Sequence, residues 1–267
     1  MKFILNGREV QAEETTAYKV REKYGKPTDI IIFNGFQIDG DRPITENDIL
    51  NIITKGAMPQ REELESMLAA RHTPGVHSRI KSGKVAIAGL GGLGSNIAVM
   101  LARIGVGQLL LVDFDIVEPS NLNRQCYNIG HLGLLKTRAL KSQLEAINPF
   151  ISVKTRNVRV TGSNVKELFE GYDIICEAFD RPDSKAVLVN TALKELKTVK
   201  LVAASGMAGY DSSNLIRTVQ PMKRLYVCGD LENGAGVGNG LMAPRVMICA
   251  GHQANMVLRL LVGADQV

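Results

Sequence analysis

Cysteine is scarce in this chain, and its few cysteines are scattered. The 267 residues include four of them, and no two form a C-x-x-C pair: Cys126, Cys176, Cys228 and Cys249. Disulfide scaffolds and cysteine-based redox or metal motifs depend on closer or paired spacings. The sequence therefore predicts four reduced thiols in a chain of the cytoplasm.

Long apolar runs are also absent. No stretch approaches the roughly 20 residues that a membrane-spanning helix needs, and residues 1–7 turn polar too early for a signal peptide. Low-complexity tracts are missing as well, while hydrophobic residues make up 45% of the chain. We therefore expect a folded cytoplasmic protein that does not enter a membrane.

The charge pattern argues against nucleic acid as a partner. The formal net charge is only +5, and aromatic residues make up 5% of the chain. Nucleic-acid-binding domains commonly show a basic stripe, and single-strand binders interleave it with aromatic side chains. No such stripe occurs here, so ordinary solvated lysines and arginines are the better interpretation.

Residues 1–57 have the pattern of a small separate domain. Two Asn-Gly pairs, beginning at Asn6 and Asn34, lie between apolar runs and predict β-hairpins. A short helix capped by a threonine is expected between the hairpins, and a last strand over residues 49–54. This order of elements indicates a β-grasp, or ubiquitin-like, α+β domain.

The second predicted domain covers residues 58–267. It opens with a helix over residues 60–71, where Leu64, Met67 and Leu68 recur at helical spacing. Strand-like apolar runs and helical segments then alternate, which favours an α/β fold class, namely a Rossmann-like domain with a mixed sheet. The last predicted elements are an antiparallel strand pair and a closing helix, over residues 216–219, 225–228 and 242–261.

Glycines follow the first strand of this domain in the pattern G-x-G-x-x-G. Residues 85–88 form a short apolar run, Gly89, Gly91 and Gly94 follow, and a helical pattern then continues to Arg103. Strand, glycine turn and helix in this order bring backbone N–H groups and the positive end of a helix dipole to an anion. By itself the pattern predicts a nucleotide site, most often for nicotinamide or flavin.

Polar residues stand where later strands are expected to end. Asp113 closes a buried strand, at the position where nucleotide folds place an acceptor for ribose hydroxyls. A polar loop over residues 113–125 follows, where an oxidoreductase would normally continue into a crossover helix. Lys136 then begins a long helix, and Asp180 follows another strand. Because ligands of open α/β sheets bind at this edge, we expect these side chains to share one site.

These spaced motifs resemble the ThiF/MoeB/HesA group, the bacterial relatives of ubiquitin-activating enzymes. The resemblance rests on G-x-G-G-x-G-S at residues 89–95, D-F-D at 113–115, S-N-L-N-R-Q at 120–125, Lys136 and Asp180. It covers roughly residues 61–267, whereas residues 1–57 look like a ThiS-type β-grasp fold. Within the group the chain looks most like the ThiF branch, which activates the sulfur carrier ThiS in thiamine thiazole biosynthesis.

The resemblance implies ATP-dependent adenylation of the C-terminal glycine of a separate ThiS-like sulfur carrier protein. It implies catalytic roles for Arg124, Lys136, Asp180 and Arg71. Arg124 and Lys136 would offset phosphate charge, and Asp180 would hold Mg²⁺. Nucleotide-binding roles are implied for the glycine turn and the polar loop, at Gly89, Gly91, Gly92, Gly94, Ser95, Asp113, Asp115, Asn121 and Gln125.

The resemblance also implies a homodimer. In the group, an arginine on the helix before the core reaches the ATP site of the partner subunit, and Arg71 is the matching residue here. The alternative is a solvated arginine at the C-terminus of a helix, where a positive charge is favourable. Whether Arg71 acts within its own chain or across the dimer stays open at this point.

The chain departs from the group in three respects. Two C-x-x-C pairs that hold zinc in many relatives are missing, so no zinc is predicted. Cys228 is the nearest match to a sulfur-transferring cysteine of some relatives, but nothing in the sequence lowers its pKa, so a bystander thiol is the better interpretation. Residues 54–58 lack the free Gly-Gly end of a working carrier. The first domain is therefore interpreted as a degenerate carrier that packs, dimerises or modulates docking, or as a passive appendage.

Three other interpretations are consistent with parts of the sequence. Molybdopterin-type carriers, or tRNA as in the related dehydratase branch, are possible substrates of the same chemistry. An NAD-dependent oxidoreductase would explain the glycines and Asp113, but it leaves Arg124, Lys136 and Asp180 without a role. A non-enzymatic interaction module is opposed by the intact polar set.

Overall fold

The computed structural model describes residues 1–54, 56, 60–70, 72 and 75–267. These residues form two compact units, Met1–Ser78 and Arg79–Val267. The domain boundary predicted after residue 57 falls next to residues outside this description and stays a prediction. Arg71 also lies outside the described residues.

The first unit is a five-stranded sheet with one helix against its face. The strands are β1 (Lys2–Leu5), β2 (Arg8–Gln11), β3 (Ile30–Phe33), β4 (Phe36–Gln37) and β5 (Ile49–Ile53), in the order β2-β1-β5-β3-β4. The first and last strands, β1 and β5, pair in parallel, and the other pairs are antiparallel. Helix α1 (Ala17–Tyr24) begins after Thr16, whose hydroxyl accepts from the Lys19 amide at 3.4 Å. This arrangement confirms the predicted β-grasp fold.

A second helix of this unit follows its last strand. It is α2 (Arg61–Ala69), close to the helix predicted over residues 60–71. The Ser66 hydroxyl donates to Asn51 Oδ1 on β5 at 2.7 Å, and Asn51 is buried. The core residues Leu50 and Ile52 lie on the other face of β5, together with Phe3 of β1. Helix α2 therefore packs against the face of the sheet opposite to the one that α1 covers.

The second unit is built on a seven-stranded sheet. Its strands are β6 (Lys84–Ala88), β7 (Gln108–Asp113), β8 (Ser152–Asn157), β9 (Ile174–Glu177), β10 (Lys200–Ala204), β11 (Arg217–Met222) and β12 (Leu225–Gly229). The order is β11-β12-β10-β9-β6-β7-β8. Helix α3 (Val76–Ser82) contains the boundary between the two units. Helices α4 (Gly92–Arg103), α5 (Lys136–Ile147), α6 (Val165–Phe169), α7 (Pro182–Glu195) and α8 (Ala243–Leu261) connect and flank the strands of the second unit. None of the helices among the described residues is long and apolar enough to cross a membrane.

The strand directions confirm a mixed, Rossmann-like sheet. Neighbouring strands from β12 to β8 run parallel, and among the described strands of this second sheet only β11 runs antiparallel to its neighbour. The expected antiparallel pair near the C-terminus is therefore correct for β11 and β12. However, β12 also extends the main sheet in parallel with β10, because β11 carries the chain back across the sheet before β12 begins.

The topological switch point of the sheet lies between β6 and β9. From β6 the sheet grows through β7 on one side and through β9 on the other. Loops that leave neighbouring strands in opposite directions open a crevice at the carboxyl edge of such a sheet. Below that edge, the sheet is packed by buried apolar side chains that include Leu110, Ile175 and Leu201.

Candidate functional site

A cavity of about 780 Å³ opens at the carboxyl edge of the second unit. This volume lies within the roughly 300–1,000 Å³ that small-molecule sites occupy. Residues that follow β6, β7, β9 and β10 line it. Ten predicted site residues are among them: Gly89, Gly91, Gly92, Asp113, Asp115, Asn121, Arg124, Gln125, Lys136 and Asp180.

The glycine turn places backbone atoms without side chains at the cavity wall. Gly89 has a φ of +92°, and a Cβ there would lie 2.8 Å from the Ala178 carbonyl oxygen. Helix α4 then begins at Gly92 with Gly91 as its N-cap. The first N–H groups of a helix have no partner within the helix and attract anions. The turn thus presents the donors that a phosphate group needs.

Two members of the predicted set lie behind the turn and do not line the cavity. A Cβ on Gly94 would lie 1.8 Å from the Gly89 carbonyl oxygen, so this glycine allows the turn to close. The buried Ser95 hydroxyl donates to the Gly91 carbonyl oxygen at 2.7 Å and accepts from the Cys126 amide at 3.1 Å. Both residues therefore shape the turn from within.

Asp113 holds the same turn from β7. Its Oδ2 accepts from the Leu90 amide at 2.6 Å, and its Oδ1 accepts from the Asp115 amide at 2.8 Å. The Tyr127 hydroxyl donates to the Leu90 carbonyl oxygen at 2.9 Å. Burial, with the nearby Asp113 charge, raises the pKa of Tyr127, which keeps this hydroxyl a donor. One buried carboxylate thus connects the glycine turn to the polar loop.

A buried cation faces the cavity from the start of α5. The Lys136 ammonium lies 3.2 Å from Asp115 Oδ2, and the two side chains are 8% and 51% exposed. The Lys136 amide also donates to the Asp115 carbonyl oxygen at 2.9 Å. The exposed carboxylate therefore orients a lysine whose positive charge is largely withdrawn from water.

The polar loop supplies two amides and an arginine. The Asn121 Oδ1 accepts from the Glu118 amide at 3.0 Å, which fixes this buried side chain. The Arg124 Nη1 donates to the Ser120 carbonyl oxygen at 3.1 Å. The Gln125 Oε1 is buried and has no hydrogen-bond partner within the described part of the chain. A buried amide of this kind at a cavity wall is a candidate ligand contact, because an unmatched polar group is costly.

Asp180 enters the cavity from the loop after β9. It is exposed, whereas the Asp113 carboxylate is occupied by backbone amides. Within the described ranges, the structure has no cluster of three or more histidine, cysteine or acidic side chains that could hold a metal ion. A metal ion at Asp180 would therefore take most of its ligands from a bound molecule and from water.

Two ion pairs beside the cavity, one buried and one partly buried, were not predicted from the sequence. Lys185 of α7 binds Glu177 at the end of β9, and Arg245 of α8 binds Asp230 just after β12. The signal for Lys185 was its place on the buried face of α7, in register with Leu188. A charge on an apolar helix face needs a partner, so this position indicates a buried acidic residue on the facing strand.

The Asp230–Arg245 pair anchors a loop that walls the cavity. Asp230 accepts from the backbone amides of Glu232 and Asn233 at 2.9 and 2.8 Å. Asn233 and Gly234 line the cavity. The Asn233 carbonyl oxygen in turn accepts from the Met207 amide at 3.1 Å. This side of the site is therefore held by one buried salt bridge.

Solved structures with the same fold support the architecture of the second unit. The Escherichia coli tRNA N6-threonylcarbamoyladenosine dehydratase TcdA, in complex with AMP, has a TM-score of 0.68 at 20% identity, over 77% of this chain and 97% of that one. Escherichia coli MccB has a TM-score of 0.55 at 24% identity, over 70% of this chain and 58% of that one. At sequence identities this low, the structural similarity establishes a common fold alone.

Curated relatives are more similar in sequence. The adenylyltransferase and sulfurtransferase UBA4 of Eremothecium gossypii is 32% identical over 189 residues, which are 69% of this chain and 43% of the relative. The UBA4 of Yarrowia lipolytica is 30% identical over 196 residues, which are 69% of this chain and 47% of the relative. The chain thus spans less than half the length of these relatives.

Family models match both parts of the sequence. Residues 1–56 match the ThiS-like ubiquitin family, in agreement with the β-grasp fold of the first unit. Residues 65–267, which contain the whole cavity, match the ThiF family. Because this match covers most of the sequence, the chain belongs to the ThiF family, with a ThiS-like ubiquitin domain at its N-terminal side.

Proposed function

We propose that this chain uses ATP to adenylate the C-terminal glycine carboxylate of a small ubiquitin-like sulfur carrier protein. The observation that carries the proposal is the convergence of Arg124, Lys136 and Asp180, from three separate segments, on the cavity beside the glycine turn. The names of the UBA4 relatives, which are adenylyltransferases, support the same chemistry. TcdA, which has the same fold, is described in complexes with AMP and with ATP, and this supports an adenine nucleotide as the ligand.

Adenylation requires that the enzyme position the carrier carboxylate and neutralise charge on the phosphates of ATP. A carrier carboxylate attacks the α-phosphorus of ATP, the bond to the bridging oxygen breaks, and pyrophosphate leaves with its electron pair. The nucleophile is already deprotonated, so no general base is required. The N-terminus of α4 would bind phosphate oxygens, and Arg124 and Lys136 would stabilise the charge that develops on the phosphates. The NH₂ groups of Gln125 and Asn121 would donate to phosphate oxygens, because an amide oxygen such as the unmatched Gln125 Oε1 only accepts.

The residues present are compatible with Mg²⁺ bound together with ATP. Magnesium sites in nucleotide enzymes commonly use one or two carboxylates, with phosphates and waters as the other ligands. Asp180 is an exposed carboxylate at the cavity that fits this role, whereas Asp115 is engaged by Lys136. When bound, the ion would neutralise phosphate charge, and Asp180 would orient it.

A ThiS-like carrier of thiamine thiazole biosynthesis is the substrate that we favour. The ThiS-like domain fused to this chain points to a carrier of the same fold. The names of the UBA4 relatives also include sulfurtransferase, although this chain spans less than half of their length. A molybdopterin-type carrier, or a tRNA substrate as the name of TcdA indicates for that protein, are the alternatives. Incubation of the chain with each candidate, ATP and Mg²⁺ would rank them.

The partners we propose are a separate carrier and a second copy of this chain. The fused domain itself does not qualify as substrate, since residues 54–58 lack a Gly-Gly end and the chain continues beyond them. A homodimer, in which Arg71 contributes to a site, is part of the proposal. Sedimentation analysis of wild type, together with mixing of Arg71→Ala and Asp180→Asn chains, would test it. Activity regained on mixing would show that Arg71 acts across the dimer.

A change at Asp113 is expected to weaken ATP binding. Asparagine places an NH₂ group where one carboxylate oxygen now accepts from a backbone amide, so one hydrogen bond is lost and two donors face each other. We expect the Kd for ATP to rise about tenfold for Asp113→Asn, in line with the loss of one buried hydrogen bond. Titration calorimetry would measure it. Asp211→Asn, at an exposed position outside the cavity, is the control, and an equal effect there would contradict the assignment.

Cys228 is expected to be dispensable for adenylation. It is buried, and burial raises the pKa of its thiol to about 11, against the opposing effect of a hydrogen bond with Thr218. The thiolate that nucleophilic chemistry requires is therefore almost absent near neutral pH. We expect Cys228→Ser to keep the adenylation rate, and the native chain to resist alkylation of Cys228 by iodoacetamide at a pH of about 8. Rapid alkylation with parallel loss of activity would refute this expectation.

Deletion of residues 1–57 would test the role of the fused domain. We propose that this domain modulates carrier docking, so that its loss raises the KM for the carrier and leaves the KM for ATP unchanged. Pyrophosphate exchange over a range of carrier concentrations would measure both constants. Unchanged kinetics with lower thermal stability would instead identify a passive stabilising appendage.

Nucleotide selectivity separates this proposal from an NAD-dependent oxidoreductase. The polar set around Arg124, Lys136 and Asp180 is matched to a triphosphate, so ATP is expected to raise the melting temperature and NAD is not. If NAD raised the melting temperature and ATP did not, the proposal would be wrong and an NAD-dependent oxidoreductase would be favoured. ATP–pyrophosphate exchange that depends on a carrier would exclude a non-enzymatic interaction module.

A further inference from the structure

A partly buried ion pair adjoins the turn that leads to Asp180. Glu177, the last residue of β9, has a side chain that is 1% exposed, and the Lys185 side chain on α7 is 24% exposed. The Lys185 ammonium lies 3.1 Å from each of the two carboxylate oxygens of Glu177. It also donates to the carbonyl oxygen of Ala204, at the end of β10, at 3.1 Å.

These contacts occupy the whole hydrogen-bonding capacity of the ammonium group. A lysine side chain has three N–H donors, and the structure provides three acceptors for them. Lys185 lines the cavity, but it has no donor left for a ligand. Its chemistry is therefore that of a positioning residue and not that of a phosphate-binding one.

The Glu177 carboxylate fixes the turn that leads to Asp180. Its Oε1 accepts from the Phe179 amide at 2.7 Å, immediately before Asp180. The fully buried Gln253 of α8 donates from Nε2 to the carbonyl oxygens of Glu177 and Val202, at 3.0 and 3.1 Å. Side chains from two helices thus tie the ends of β9 and β10 to this turn.

The charge on Glu177 depends on its partner. Burial raises the pKa of Glu177, and the Lys185 charge and hydrogen bonds act in the opposite direction. Without Lys185, the buried carboxyl group is expected to bind a proton, because an unpaired charge is costly in such surroundings. A neutral carboxyl group accepts a weaker hydrogen bond from the Phe179 amide. The turn that leads to Asp180 would then be held less firmly by Glu177.

We propose that the Lys185–Glu177 pair is the positioning element that holds Asp180 in its catalytic place at the cavity. The role of Asp180 rests on the function proposed above. Loss of the pair misplaces the carboxylate that orients the metal–nucleotide complex, while the glycine turn, Arg124 and Lys136 still bind the nucleotide. The pair therefore acts on turnover more than on nucleotide affinity.

Lys185→Met tests this inference, with Lys185→Arg as the conservative variant and Lys194→Met, an exposed lysine on the same helix, as the matched control. For K185M we expect kcat of ATP–pyrophosphate exchange to fall on the order of 10- to 100-fold, as for a small misplacement of a catalytic group. The KM for ATP should stay within about threefold. K185R should recover most of the rate, and K194M should match wild type.

Hydrogen exchange gives a readout that does not depend on activity. The Phe179 amide should exchange faster in K185M than in wild type, whereas the amides of β7, which β6 separates from β9 in the sheet, should not change. K185R should restore the protection at Phe179. Unchanged protection of Phe179 in K185M would overturn the inference whether or not the chain proves to be an adenylyltransferase.

A double-mutant cycle decides whether Lys185 acts through Asp180. If it does, K185M has little further effect on single-turnover rates once Asp180→Asn is present, because the two losses share one cause. Fully additive losses would overturn the inference by showing that Lys185 acts independently. If wild type forms no adenylate with any carrier, the proposed function fails, and the exchange of Phe179 still decides whether the pair fixes the turn.

Discussion

Asp180→Asn is expected to reduce carrier adenylation about 100-fold or more while leaving the fold intact. The side chain is exposed at the cavity, so the substitution disturbs no packing. Asparagine has the same shape but no charge, and it is a much weaker ligand for Mg²⁺ than a carboxylate. The loss should therefore appear in kcat for pyrophosphate exchange, with an unchanged melting temperature.

The neighbouring Asp183 provides the matched control for this prediction. Asp183 is exposed in the first turn of α7 and does not line the cavity. Asp183→Asn removes the same charge close by and should keep the wild-type rate. If both variants lose activity equally, the effect belongs to the general electrostatics of this edge, and the assignment of Asp180 as the metal-orienting carboxylate is wrong.

Arg245→Met is expected to destabilise the second unit by about 3–5 kcal/mol, the usual cost of leaving one member of a buried ion pair alone. The side chains of Arg245 and Asp230 are each 4% exposed. Methionine fills much of the volume but leaves the Asp230 charge without its cation. Urea denaturation would measure the free energy of unfolding. Arg259→Met, on the same helix with an exposed bond to the Gln266 carbonyl oxygen, should cost less than about 1 kcal/mol.

The pH dependence of this variant provides a second test. Burial acts to raise the pKa of Asp230, but hydrogen bonds from Asn233 and Glu232 and the Arg245 charge outweigh it, so that the pKa is lowered. A lowered folded-state pKa contributes stability above the unfolded value of about 3.9, and this contribution is lost as the pH falls through the folded value. Wild type should therefore lose stability more steeply than Arg245→Met in this acidic range. Equal pH profiles would contradict the account.

Much of the fold follows from local pattern. Helix α5 begins at Lys136, as predicted, and the two Asn-Gly pairs both form hairpin turns, with Asn6 and Asn34 at positive φ. Turn chemistry and hydrophobic periodicity act over a few residues, so they can be read directly from sequence. The same holds for the strand–glycine–helix unit around Gly89. Such elements depend little on the rest of the chain.

Other features depend on strand order, which local patterns do not specify. Glu177 and Lys185 are eight positions apart, and their contact requires α7 to fold back against the end of β9. The parallel pairing of β12 with β10 likewise depends on where the intervening β11 runs. Gly94 and Ser95 were assigned to the nucleotide from their motif, yet the structure places them behind the turn. The motif predicted the glycine turn, and tertiary structure determined which face of it each residue occupies.

Detection of a carrier-adenylate is the most direct test of the proposed function. The chain would be incubated with ATP, Mg²⁺ and carriers that end in Gly-Gly, and the carrier would then be analysed by intact mass spectrometry. We expect the mass of one carrier to increase by that of an adenylyl group, with release of pyrophosphate and with no adduct when Asp180→Asn replaces wild type. Absence of the adduct from every carrier tested, with a folded chain that binds ATP, would contradict the proposed function.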